Sequence, residues 1–212
     1  MRLIRESSRR GHDGTVPSMV VVVLPGGKVT DRRRTRCFQA ADLRMAAFTG
    51  ALRRAGRARG IEVRQIRYRV RGWNGADRSP VHDARRVLAE LPQDVPVVLV
   101  GHSMGGRVAA VVADDPRVCG LLALAPWWPD GEGARVPQGV PMAVAHGTAD
   151  RWTDPAASRS QTELAAARGT DARWRGIPRA GHTMMGRPAL WHRIAVDFVL
   201  DQSRRLSSPN AS

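Results

Sequence analysis

Ser103, Asp150 and His182 have the residue types, order and spacing to do chemistry together. Ser103 is the centre of Gly101-His102-Ser103-Met104-Gly105, a G-x-S-x-G pattern between the apolar run Val95–Val100 and a helical segment through Val108–Val112. A strand that turns sharply into a helix forces the serine into a strained backbone conformation. Glycines on either side remove side chains that would collide across the turn. The turn lifts the hydroxyl out of the sheet, and the start of the helix presents the Met104 N–H to an incoming carbonyl oxygen. A serine needs a base, and the base needs an orienting acid. Asp150 closes His146-Gly147-Thr148-Ala149-Asp150, and His182 closes Ala180-Gly181-His182. The order Ser, Asp, His, with spacings of 47 and 32 residues, places each group after a different apolar run. Ligand-binding residues of open α/β sheets collect at such strand ends. The chemistry expected is acyl transfer to water through a serine-bound intermediate.

The neighbouring residues have weaker claims. Asp154 and Asp130 are alternative acids, Asp154 about one helical turn later than Asp150 and Asp130 after the preceding run. His102 is expected beneath the turn, His146 to fix the Asp150 loop, and His82 and His192 within helices. A second oxyanion donor is expected from Leu24-Pro25-Gly26-Gly27-Lys28, with Gly27 as first choice and Lys28 next. Trp73, Trp127, Trp128 and Trp152 fall on loops at the same rim, with Met184 and Met185 nearby. Either they face an acyl or aryl group, or they pack the loops down. No pair of histidines has metal spacing, so neither a metal nor another cofactor is expected.

The elements that must hold these residues follow from the apolar pattern. Short runs at 19–24, 61–70, 95–100, 118–124, 140–145 and 172–177 alternate with helical segments at 38–59, 80–91, 104–114, 155–168 and 188–204. Six strands separated by helices predict an α/β fold, a mostly parallel sheet covered on both faces. The 61–70 run differs: Ile66, Tyr68 and Val70 alternate with Arg67, Arg69 and Arg71, the pattern of a charged edge strand. Residues 1–18 read as a loose basic arm, 19–205 as one domain and 206–212 as a disordered tail.

The chain has 212 residues, 42% of them hydrophobic, enough to bury a core in a single domain. No apolar stretch approaches the roughly 20 residues needed to cross a bilayer. The basic start lacks a following apolar segment, so a cytoplasmic location is expected. Cys37 and Cys119 stand far apart, which disfavours a disulfide framework. The net charge is +15, but of 34 basic residues only Lys28 is lysine. Phosphate attracts lysine as readily as arginine, so the lopsided choice points to codon bias in a G+C-rich genome rather than to an anionic partner.

With its motifs Pro25-Gly26-Gly27, Gly101–Gly106, His146–Asp150 and Ala180–His182, the chain resembles a small α/β-hydrolase of actinobacterial type. The likeness lies near the dienelactone-hydrolase-like and serine esterase branches, over residues 19–204. It implies a nucleophile elbow, a Ser-His-Asp triad and a carboxylesterase-like activity on a small ester, thioester or lactone. The usual His-Gly of the oxyanion loop is Pro25-Gly26 here, and dienelactone hydrolases carry cysteine where this chain has Ser103. The family's first two strands have no room before Met19, so six strands are expected. Only about fifteen residues, 125–139, separate the fourth and fifth runs, too few for a helical cap. The expected partner is a small acyl substrate, with no membrane and no specific nucleic acid. The competing readings are a non-catalytic binding protein on the same fold and a basic nucleic-acid-associated protein.

Overall fold

In a computed structural model of the chain, which describes residues 16–35 and 39–208, six parallel strands form one sheet. The strands are β1 (Met19–Leu24), β2 (Ile61–Gln65), β3 (Val97–His102), β4 (Val118–Leu124), β5 (Met142–Gly147) and β6 (Ala172–Ile177). Their order across the sheet is β2-β1-β3-β4-β5-β6. The helices are α1 (Ala40–Gly56), α2 (Ser79–Ala89), α3 (Met104–Val112), α4 (Pro155–Ala167) and α5 (Pro188–Ser207).

Val, Leu and Ala fill the inner strands because helices cover both faces and leave no face for polar residues. Every residue of β1 and β3 is buried. One core cluster joins Val20, Val22, Leu99 and Leu121 to α2, α3 and Ala165 of α4. The opposite cluster joins Val21, Val23, Val98 and Leu122 to Phe48 of α1 and Trp191 of α5. The outermost strand β6 alternates exposed and covered residues, Arg173 and Arg175 pointing to water.

The expected strand at 61–70 is shorter. β2 is an edge strand, but its ladder stops at Gln65, opposite Val23. Its partner β1 ends one residue later and runs into Pro25, which has no N–H to offer. Ile66 and Tyr68 still bury while Arg67 and Arg69 stay exposed, so the alternation marks an extended segment outside the sheet. The Arg69 N–H there is held by Asp83 of α2 at 2.8 Å. At the other end α5 continues through Leu206 and Ser207, residues that the sequence pattern assigns to the tail. Most of the basic arm (1–15), Cys37 and the last four residues lie outside the described residues.

Between β4 and β5 the chain makes one short 3-10 turn, Gly133–Arg135, and carries no cap. No helix among the described residues is long and apolar enough to cross a membrane.

Candidate active site

The β3–α3 turn is built as its glycines demand. Ser103 has φ 55° and ψ −119°, a positive φ that a side chain rarely adopts. A Cβ on Gly101 would lie 2.3 Å from the Gly105 carbonyl oxygen, and one on Gly105 would lie 2.0 Å from that of Leu24. The turn is pinned from outside as well, since Ser103 N–H donates to Leu124 O at 3.0 Å.

The three groups separated in the chain meet above the C-terminal ends of β3, β5 and β6. Ser103 Oγ stands 2.9 Å from His182 Nε2, and His182 Nδ1 stands 2.8 Å from Asp150 Oδ2. All three residues are buried or nearly so. Burial pushes the Asp150 carboxyl up, but hydrogen bonds from His146, His182 and the Thr153 and Trp152 backbone outweigh it and hold the group well below the usual carboxylate range. An ionised carboxylate can only accept, so His182 carries its proton on Nδ1 and turns a bare Nε2 towards the Ser103 hydroxyl.

Asp150 is held by a larger shell than its sequence context indicates. Its Oδ1 accepts from the Trp152 and Thr153 amides at 2.8 and 3.1 Å. Its Oδ2 also accepts from Thr153 Oγ1 at 2.9 Å and His146 Nε2 at 3.1 Å. Thr153 Oγ1 lies 3.1 Å from His182 Nδ1 too, so the hydroxyl touches both acid and base. The sequence reading missed Thr153, although its place three residues after Asp150 matches a side chain folding back on its own loop. His146 does brace this loop: its other nitrogen, Nδ1, meets Ser158 Oγ of α4 at 2.8 Å.

His102 lies beneath the turn, fully buried, with Nε2 donating to the His182 carbonyl at 3.0 Å. Burial, reinforced by nearby His182, pushes its imidazole down to about 3, so it is neutral. Asp154, the alternative acid, caps α4 through Ala156 N–H at 2.8 Å, and Asp130 pairs with Arg107. His82 and His192 fall within α2 and α5.

The Gly26-Gly27 loop closes over Ser103. A Cβ on Gly26 would sit 3.4 Å from Ser103 Cβ, and one on Gly27 would sit 2.3 Å from Met104 Cε. Met104 opens α3, where backbone N–H groups have no partner within the helix. The Lys28 amide is already engaged, donating to Arg71 O at 2.9 Å, because the loop pairs with the segment after β2.

The four tryptophans divide. Trp127 and Trp152 border a cleft of about 800 Å³ that also holds Ser103, His182, Thr153 and Gly27. Trp152 is exposed, its ring 5.2 Å from that of His182. Trp73 is buried behind Trp127 at 6.3 Å, and the Arg107 guanidinium lies 3.9 Å from its ring centre and 4.5 Å from that of Trp127. Trp128 is buried, its Nε1 donating to Gly106 O at 3.0 Å. Met184 is buried in the α1–α5 core, whereas Met185 is exposed. Trp73, Trp128 and Met184 therefore support the rim and do not line this cleft. No group of three or more His, Cys, Asp or Glu residues suited to a metal ion occurs among the described residues.

Comparison with known proteins agrees with this architecture. The chain is similar in fold to Est1E from Butyrivibrio proteoclasticus, at 14% identity and TM-score 0.64, covering 90% of each chain. It is similar to a sugar hydrolase (YeeB) from Lactococcus lactis, at 17% identity and TM-score 0.66, covering 91% of this chain and 92% of that one. A monoacylglycerol lipase from Paleococcus ferrophilus aligns at 16% identity and TM-score 0.62 over 88% of this chain and 96% of that one. No curated protein matches the chain in sequence. The sequence profile of the Alpha/beta hydrolase family matches residues 21–209, and the chain belongs to that family.

Proposed function

We propose that the protein is a serine hydrolase that cleaves a small carboxylic ester through an acyl-enzyme intermediate. The observation that carries this reading is the unbroken run of contacts from Ser103 Oγ through His182 to Asp150, at 2.9 and 2.8 Å. His182 Nε2 takes the Ser103 proton as Oγ attacks the carbonyl carbon. Asp150 keeps the imidazolium oriented and compensates its charge. The Met104 and Gly27 amides hold the oxyanion; the Gly27 amide has no acceptor among the described residues, while that of Lys28 is committed. The imidazolium then protonates the leaving alcohol, and water, activated by the same nitrogen, releases the acid. Each oxyanion donor is worth on the order of 100- to 1000-fold in turnover.

An ester is favoured because the named neighbours include a monoacylglycerol lipase and a carboxyl esterase from Bacillus coagulans. The capless rim further suits a small, open-bound substrate.

The test is hydrolysis of p-nitrophenyl acetate with labelling by a fluorophosphonate. Wild-type protein is expected to hydrolyse the ester and take the label on Ser103, and Ser103→Ala to do neither. Undiminished hydrolysis by Ser103→Ala refutes the triad. Absence of both turnover and label in the wild type favours a binding protein on the same fold.

A further inference from the structure

Among the described residues, the cleft beside Ser103 is lined by charge of one sign only: Lys28, Arg44 and Arg71 border it, and no described Asp or Glu does. Arg44 lies on α1, half-buried, with no carboxylate at ion-pair distance among the described residues. Most other arginines withdrawn from water here have such a partner: Arg107 has Glu132 and Asp130, and Arg117 has Asp115. Burial lowers the affinity of the Arg44 guanidinium for its proton, as expected of a cation held out of water without a counter-charge. Lys28 is largely exposed and only loosely tied to Asp31, at 3.7 Å. Residues 39–41, at the start of α1, border the same cleft, and the positive end of the helix dipole adds to the field.

An unpaired cation in a cleft is unfavourable unless a ligand supplies the opposite charge. The rest of the lining is apolar and aromatic (Val29, Ala40, Ala41, Trp127, Trp152), which suits a short hydrocarbon portion. We infer that this cleft selects esters carrying a fixed anion, a carboxylate or a phosphate, bound by Arg44 with Lys28 and Arg71 beside it. The inference rests on the reading of Ser103 as nucleophile, because the cleft is defined by its opening onto that hydroxyl. Arg44 acts in substrate binding and takes no part in proton transfer.

The experiment separates charge from shape. Binding to Ser103→Ala is measured by calorimetry for monomethyl succinate, for its neutral isostere methyl succinamate, and for 2-acetoxyethyl phosphate. At least one anion is expected to bind about tenfold tighter than the amide, the scale of one charge-assisted hydrogen bond. The tighter of the two identifies the anion as carboxylate or phosphate. Adding Arg44→Gln should abolish the difference and Arg44→Lys should keep part of it, while rising salt should erode it. Equal binding of amide and anions, no detectable binding of either anion, or a preference that survives Arg44→Gln overturns the inference. Fluorophosphonate labelling of the wild type reports on the nucleophile separately. A labelled Ser103 without charge preference refutes only the substrate class, and a preference without labelling refutes only the chemistry.

Discussion

Replacing Arg107 by methionine tests whether the wall behind the cleft is held by a buried charge. The Arg107 side chain is 6% exposed, its partner Glu132 5% and Asp130 68%. Asp130, in water, is worth at most about 1 kcal/mol as a partner. Glu132 is different: Arg107 Nε donates to it at 2.6 Å, and among the described residues its other oxygen accepts only the Asp130 amide, at 3.1 Å. Removing the guanidinium strands a buried carboxylate, at a cost of about 3–5 kcal/mol. The lost stacking on Trp73 and Trp127 adds about 1 kcal/mol or more. Arg107→Met should therefore destabilise by about 4 kcal/mol or more, lowering the melting temperature by about 10 °C for a chain of this size. Urea denaturation of the single variants and of Arg107→Met/Glu132→Gln closes a double-mutant cycle. Neutralising Glu132 in the Arg107→Met background should restore about 2–3 kcal/mol. In the same variants KM should rise, because Trp127 borders the cleft and loses its backing. A single-variant loss below about 1 kcal/mol, or additive single and double variants, would refute the assignment of stability to this pair.

Other substitutions probe Ser103 and the groups around it. Thr153→Val removes one hydroxyl donor to Asp150 and leaves four others, so kcat should fall about tenfold with KM little changed; steady-state kinetics on an ester would detect it. Gly105→Ala places a Cβ 2.0 Å from Leu24 O, which forces β1 and α3 apart by about 1 Å and moves the Met104 amide from Gly27. Ester kcat/KM should fall about 100-fold, against a stability loss of about 1–3 kcal/mol by thermal melting. His102 gives a pH signature. Its folded value, about 3, lies below the ordinary 6.5, so the unfolded chain binds more protons and stability drops as pH falls through that interval. The slope approaches one proton, about 1.4 kcal/mol per pH unit, and should flatten in His102→Asn when denaturation is followed from pH 7 to 4.5. His192, also lowered by burial, contributes equally to both proteins, and the lowered Asp150 matters only below about pH 4.

Local patterns made much of this legible. Gly101 and Gly105 flank Ser103 because a strand-to-helix turn demands it, and such a demand is written within five residues. Runs of Val, Leu and Ala mark strands buried on both faces, so the six-stranded parallel sheet follows from their number and spacing. Asp150 and His182 were legible because strand ends in such a sheet share one edge. The strand boundary at Gln65 was not, since it depends on where β1 loses its partner, and the alternation continues past that point.

The composition and motifs determined the layers, the sheet edge and the identity of the residues brought to it, because those follow from hydrophobic period and backbone sterics acting over a few residues. The depth of each side chain was decided by folding. Trp73 and Trp128 read like Trp127 and Trp152 in the chain, yet the first two are buried as supports. The same holds for charge: thirty-four basic residues look alike along the chain, and it is the packing of α1 against β2 and α5 that brings Arg44 to the cleft beside Ser103. Contacts between segments far apart in the chain carry no period, so the lining of the cleft is a property of the tertiary structure.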